Sequence, residues 1–233
     1  MTTTLITGAN KGLGFETARR LVEAGHRVYV GSRDPERGRR AAERLGAVAL
    51  SIDVTDDASV DAAARLVEAD GGLDVLINNA GIEVHAADGS VPGPAEATVD
   101  VMREVFDTNV FGVVRVTQAF LPLLQRSPAP VVVNVSSALA SLARAASPDG
   151  PAYPGLAYPA SKAAVNMLTV KYAQAFPGIR INAVEPGYTA TDINGHQGTQ
   201  TVQEGAEIIV RMAQVGADGP TAGYFAASGP LPW

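Results

Sequence analysis

The sequence predicts a doubly wound α/β domain, and two observations carry that expectation. Short apolar runs rich in valine and isoleucine, of the kind a parallel sheet buries on both faces, alternate with amphipathic stretches of helical length. The 233 residues amount to one globular domain, and no composition break, repeat or polar linker divides them, so residues 1–233 are expected to form a single domain.

The expected strands are TLIT, RVYVG, AVALSI, DVLIN, VVVNV, IRINAV and GYFAA. Between them, helices are expected near 13–24, 35–45, 56–69, 97–126, 157–176 and 202–215, with residues 82–96 and 138–156 as loops rich in Ala, Gly, Pro and Ser. In such sheets ligands bind beyond the carboxyl ends of the strands. Functional weight therefore falls on TGANKGLG, GSRD, DVTD, NNAG, SSALA and EPGYTATD, which follow the apolar runs.

Composition excludes several classes of function. A net charge of -6 argues against nucleic acid or anionic lipid as a partner, because neutralising phosphate takes clustered Lys and Arg. The absence of cysteine removes thiol catalysis, iron–sulfur clusters and zinc-thiolate sites, and a cytoplasmic setting fits it. No stretch reaches the roughly 18 apolar residues of a membrane span, so a soluble chain is expected. His26, His85 and His196 lack the clustering of a metal site, and no metal is expected.

TGANKGLG follows the first strand and opens a helix, the place where a backbone cradle receives a pyrophosphate. Gly8, Gly12 and Gly14 allow the turn and the close approach, with Asn10, Lys11 and Leu13 between them. The second strand ends in Gly31, Ser32, Arg33 and Asp34. Asp34 sits about 20 residues on, where an acid would bind a ribose 2′-OH, but the following Pro35 and Glu36 make it a helix N-cap. Arg33 and Lys11 then favour a 2′-phosphate, and the expected cofactor is NADP.

PAYPGLAYPASK, residues 151–162, holds two tyrosines, of which only Tyr158 has a lysine one helical turn on, Lys162. A nearby cation would ease the proton off a phenol whose ordinary pKa is about 10. Tyr153 has Ala157 at the matching position and is expected to pack or to line a pocket. Pro159 is tolerated in a first helical turn, which places Tyr158 near a helix start.

Together TGANKGLG, NNAG at 78–81, NVSS at 134–137, YPASK at 158–162 and EPGYTATD at 185–192 resemble the short-chain dehydrogenase/reductase family, in that family's order. The stretch from PGYTATD through VQEGAEIIVRMA to GPLPW is similar to the carbonyl reductase group. The resemblance implies a seven-stranded Rossmann sheet and a catalytic set of Asn109, Ser137, Tyr158 and Lys162. It implies that Ser137, rather than Ser136, meets the substrate oxygen, and that the Asn109 side chain could hold a water leading to Lys162. Asp53 and Val54 would flank the adenine, Asn79, Ala80 and Gly81 the adenosine ribose, and Pro186, Gly187, Thr189 and Thr191 the nicotinamide end. The implied activity is hydride transfer between NADPH and a ketone or aldehyde. An activated double bond as substrate, or an NADP sensor without turnover, are the alternatives. Family members are often dimers or tetramers, and the carbonyl reductase likeness allows a monomer. The loop between Ser137 and Tyr158 is longer than is common in the family, while the polar segment DINGHQGTQT suggests an open pocket.

Overall fold

The computed structural model describes residues 1–233. Seven parallel strands are β1 (Thr3–Ile6), β2 (Arg27–Ser32), β3 (Val48–Ser51), β4 (Val75–Asn78), β5 (Val131–Val135), β6 (Arg180–Glu185) and β7 (Tyr224–Ala226). An eighth, β8 (Gly229–Pro230), was not expected: after β7 the chain turns through Gly229, at φ 127°, and runs back antiparallel along the sheet edge. The order is β3-β2-β1-β4-β5-β6-β7-β8.

Helices α1 (Gly12–Glu23), α2 (Pro35–Leu45) and α8 (Val202–Ala213) cover one face. On the other lie α3 (Asp57–Ala69), α5 (Gly112–Leu124) and α7 (Ala157–Ala175). Neighbouring strand residues feed opposite clusters, Leu5 and Val132 to one and Ile6 and Val133 to the other. That two-sided burial is why the strands read as unbroken apolar runs rather than alternating ones. No helix is long and apolar enough to cross a membrane.

Two differences from expectation bear on function. The helix expected over 97–126 is divided into α4 (Val99–Phe106) and α5 by a π turn at Asp107–Phe111 that contains Asn109. The loop between Ser137 and Tyr158 contains a 3₁₀ turn (Ala138–Ala140) and the short helix α6 (Leu142–Ala145).

Candidate active site

Strand order reverses between β1 and β4, and the loops leaving those two strands form the crevice where such folds bind ligands. Gly8 and Gly12 turn the first loop through left-handed conformations, at φ 64° and 56°. A methyl group on Gly14 would lie 2.6 Å from Asn79 Nδ2 and 2.7 Å from the Gly8 carbonyl oxygen, so no side chain fits there. The Asn79 amide donates to the carbonyls of Thr7 (2.8 Å) and Gly8 (3.2 Å), while the Thr7 hydroxyl accepts from Asn79 N and Ala80 N, both at 3.0 Å. The side chain expected on the ribose thus clamps the glycine loop to β4.

Helix α1 begins with no side-chain cap, so its leading N–H groups are left for an anion. The cradle fits a pyrophosphate. Asn10 makes no side-chain hydrogen bond within the chain, whereas Leu13 turns toward α8, where a methyl on Gly205 would lie 2.8 Å from its Cδ2.

At the end of β2, the Asp34 carboxylate accepts from Glu36 N and Arg37 N at 3.0 Å each, the capping role expected of it. The buried Ser32 hydroxyl donates to the Asp34 carbonyl at 2.8 Å. Arg33 is exposed and bonded to no carboxylate. Lys11, expected to join Arg33 as a second cation, is instead paired with Asp192, because the segment after β6 passes over the glycine loop. Burial works against ionising Asp53, but hydrogen bonds from the Thr55 N–H and hydroxyl hold its carboxyl below the ordinary range. Val54 is buried, tight against Gly112.

Beyond β6, Gly187 turns at φ 85°. The Thr189 hydroxyl, expected to face the ligand, is buried and donates back to the carbonyls of Pro186 (3.3 Å) and Gly187 (3.2 Å). Thr191 faces the glycine loop, its methyl 3.6 Å from where a Gly12 methyl would stand. The segment expected to leave the pocket open is pinned by a 3₁₀ turn (Asp192–Asn194) and by Ala190 N donating to the Gln200 carbonyl at 2.9 Å.

Tyr158 is the second residue of α7, and Lys162 lies one turn deeper, 4 % exposed. The Lys162 amine donates to the Val135 carbonyl at 2.8 Å and sits 5.6 Å from the centre of the Tyr158 ring. Burial lowers its pKa to about 8. The phenol moves the opposite way from the sequence expectation. Burial raises its pKa, the Glu83 and Glu185 carboxylates add to the rise, and only the neighbouring Ser137 hydroxyl opposes it. Ser136 points elsewhere, donating to Asn166 Oδ1 at 2.7 Å inside the core. Of the two serines, Ser137 is the one whose hydroxyl lies beside the phenol.

The Asn109 Oδ1 accepts from Ile82 N at 2.8 Å, and its Nδ2 donates to the Ile82 carbonyl (2.9 Å) and Ser161 Oγ (3.0 Å), so both amide hydrogens are used within the chain while Oδ1 keeps a second lone pair. Gly81 accommodates both neighbours, since a methyl there would lie 3.4 Å from Lys162 Nζ and 3.4 Å from Asn109 Oδ1. Sequence reasoning passed over Glu83, Glu185 and Tyr224. The last donates its phenol proton to the Ser137 carbonyl. The positions of Glu83, just after NNAG, and of Glu185, closing β6, are the signals that could have found them.

A family model described as short chain dehydrogenase matches residues 2–202. The chain belongs to the short-chain dehydrogenase family. It is 31% identical to a (+)-neomenthol dehydrogenase from Capsicum annuum, over 95% of this chain and 94% of that protein. The solved structure of salutaridine reductase from Papaver somniferum superposes with a TM-score of 0.86 at 29% identity, covering 97% of this chain and 100% of that one. An NADPH-bound carbonyl reductase from chicken fatty liver also superposes with a TM-score of 0.86, at 28% identity, covering 100% and 99% of the two chains. This short-chain dehydrogenase is an oxidoreductase of alcohol and carbonyl groups, as those relatives are.

Proposed function

We propose that the protein is a single-domain, NADP-dependent reductase of ketones or aldehydes, with Tyr158 as its acid. The observation that carries the reading is the convergence of the Tyr158 phenol, the Ser137 hydroxyl and the buried Lys162 amine beside the crevice of the sheet. The NADPH bound by the chicken carbonyl reductase supports the choice of cofactor.

The backbone from Gly8 through Asn10, Lys11, Gly12 and Leu13 to Gly14 would hold the pyrophosphate. Arg33, with Ser32 beside it, would receive the 2′-phosphate, and its freedom from carboxylate partners favours that role. Asp53 and Val54 would border the adenine, and Ala80 and Gly81 the adenosine ribose, with Asn79 holding the loop in shape. Pro186, Gly187 and Thr191 would border the nicotinamide, with Thr189 bracing their turn. A bound nicotinamide supplies the hydride that the carbonyl carbon accepts. Tyr158 Oη gives its proton to the carbonyl oxygen, Ser137 Oγ hydrogen-bonds the same oxygen, and Lys162 holds positive charge behind the phenol. A phenol whose pKa is raised stays protonated at neutral pH, which suits it to reduction. Asn109 is a positioning residue that fixes Ile82 and Ser161 around Lys162.

The test is a spectrophotometric panel of ketones and aldehydes with NADPH and with NADH, repeated on Tyr158→Phe and Arg33→Ala. Tyr158→Phe is expected to lose roughly 100-fold or more in kcat. Arg33→Ala is expected to lose roughly tenfold in kcat/KM for NADPH with little change for NADH, the size of one charged hydrogen bond. Full activity in Tyr158→Phe would overturn the assignment of the acid.

A further inference from the structure

Glu83 stands two residues beyond Gly81, whose backbone borders the Lys162 amine, and directly after Ile82, whose N–H and carbonyl are both fixed by Asn109. Its side chain is only 10% exposed. Oε1 is buried with no hydrogen-bond partner, while Oε2 lies 3.4 Å from His85 Nε2, an ion pair when that ring is protonated. A second buried oxygen without a partner belongs to the tyrosine that did not take the proton: Tyr153 Oη.

Both residues lie in loops that pack on one another and frame the Tyr158 end of α7. A methyl on Gly93 would sit 3.3 Å from the Pro154 carbonyl oxygen, and one on Gly155 would sit 2.7 Å from Val91 Cγ1 and 2.6 Å from the Tyr153 ring. A buried carboxylate oxygen and a buried phenol without hydrogen-bond partners are costly to maintain, and at a binding site the missing partner is supplied by the ligand. The Glu83 carboxylate lies near enough to the Tyr158 phenol to raise its pKa, and a carboxylate beside an aromatic ring is the chemistry that receives an ammonium group, by charge and by cation–π attraction. Glu185 adds negative charge near the Tyr158 phenol, although Arg144 offsets part of it.

We infer that Glu83, on the loop that packs against the loop of Tyr153, is the specificity-determining residue of the substrate pocket and selects carbonyl compounds that carry a protonated amine. This rests on the carbonyl reductase reading of the same site. It also implies that carboxylate-bearing ketones are poor substrates.

The experiment compares 4-(dimethylamino)cyclohexanone, cationic at neutral pH, with 4-isopropylcyclohexanone, its neutral counterpart in shape. Both are assayed with the full chain and NADPH in the parent, Glu83→Gln and Glu83→Asp. The parent is expected to prefer the amine by roughly tenfold in kcat/KM. Glu83→Gln should bring the ratio of the two ketones' kcat/KM to about one, a readout in which any effect on the shared Tyr158 acid cancels, and Glu83→Asp should retain part of the preference. A preference unchanged in Glu83→Gln, or absent from the parent, would overturn the inference. Calorimetric titration of the NADPH-loaded protein with 4-(dimethylamino)cyclohexanol separates the two readings. Glu83-dependent binding without turnover of either ketone would uphold the amine site and sink the reductase; turnover without Glu83-dependent binding would do the reverse. Melting curves within about 2 °C of the parent show that the variants are folded.

Discussion

The Lys162 amine changes its ionisation near neutrality. With burial lowering its pKa to about 8, it is an ammonium well below that pH and neutral well above it. The Tyr158 phenol, raised by burial and by Glu83 and Glu185, keeps its proton across the same range. The expected result is that kcat/KM for carbonyl reduction is level in mild acid and declines as pH rises through about 8, while alcohol oxidation, which needs the phenol ionised, improves toward alkaline pH. Lys162→Arg should remove the decline near 8, since a guanidinium stays charged there. Rate profiles of both directions check it, and an identical profile in Lys162→Arg would show that another group titrates. At this scale Tyr158, Lys162 and the three loop glycines were legible in the sequence because helical spacing and turn chemistry act over a few residues. Glu83 and Glu185 were not, because what raises their pKa values is burial, foremost in each, and that comes from folding around them.

Helix α2 shows how one side chain can suggest two different functions to a reader of sequence. Asp34 has the chain position of a ribose-binding acid, yet both its hydrogen bonds go to N–H groups of the first turn, and Pro35 follows it. Asp34→Ala is therefore expected to cost about 1 kcal/mol of stability without changing the ratio of NADPH to NADH use. Denaturant titration and cofactor kinetics measure the two effects; a shift in the cofactor ratio would mean that the carboxylate meets the ribose. Elements of this kind were legible because caps, prolines and apolar runs mark their own ends. The π turn around Asn109 left no such mark. It widens a helix by local backbone geometry, and the Asn109 amide that joins it to Ile82 acts across 27 positions of sequence. Strand β8 also escaped, since two residues carry no periodicity.

Across the whole molecule, the edge of the sheet reaches into the site. Tyr224 of β7 donates to the Ser137 carbonyl, the Trp233 ring stacks on Tyr224 with centroids 5.5 Å apart, and the Trp233 carbonyl accepts from Ala143 N of α6 at 3.0 Å. The final residues thus brace both the strand that steadies Ser137 and the loop that precedes Tyr158. The glycine cradle stands several strands away, beyond β5 and β6. Trp233→Ala removes the stack but keeps the backbone bond, a loss of about 0.5–1.5 kcal/mol, or roughly 1–6 °C in melting temperature for a chain of this size. Its effect on function should be one-sided. KM for the carbonyl substrate is expected to rise about threefold to tenfold, because Ser137 and the α6 loop lose their brace, whereas KM for NADPH stays within about twofold, because Gly8 to Gly14 feel no change. Steady-state kinetics with each substrate varied in turn, beside a thermal melt, distinguish this from general loosening. Equal rises in both constants would show that the edge supports the fold as a whole and has no particular hold on Ser137.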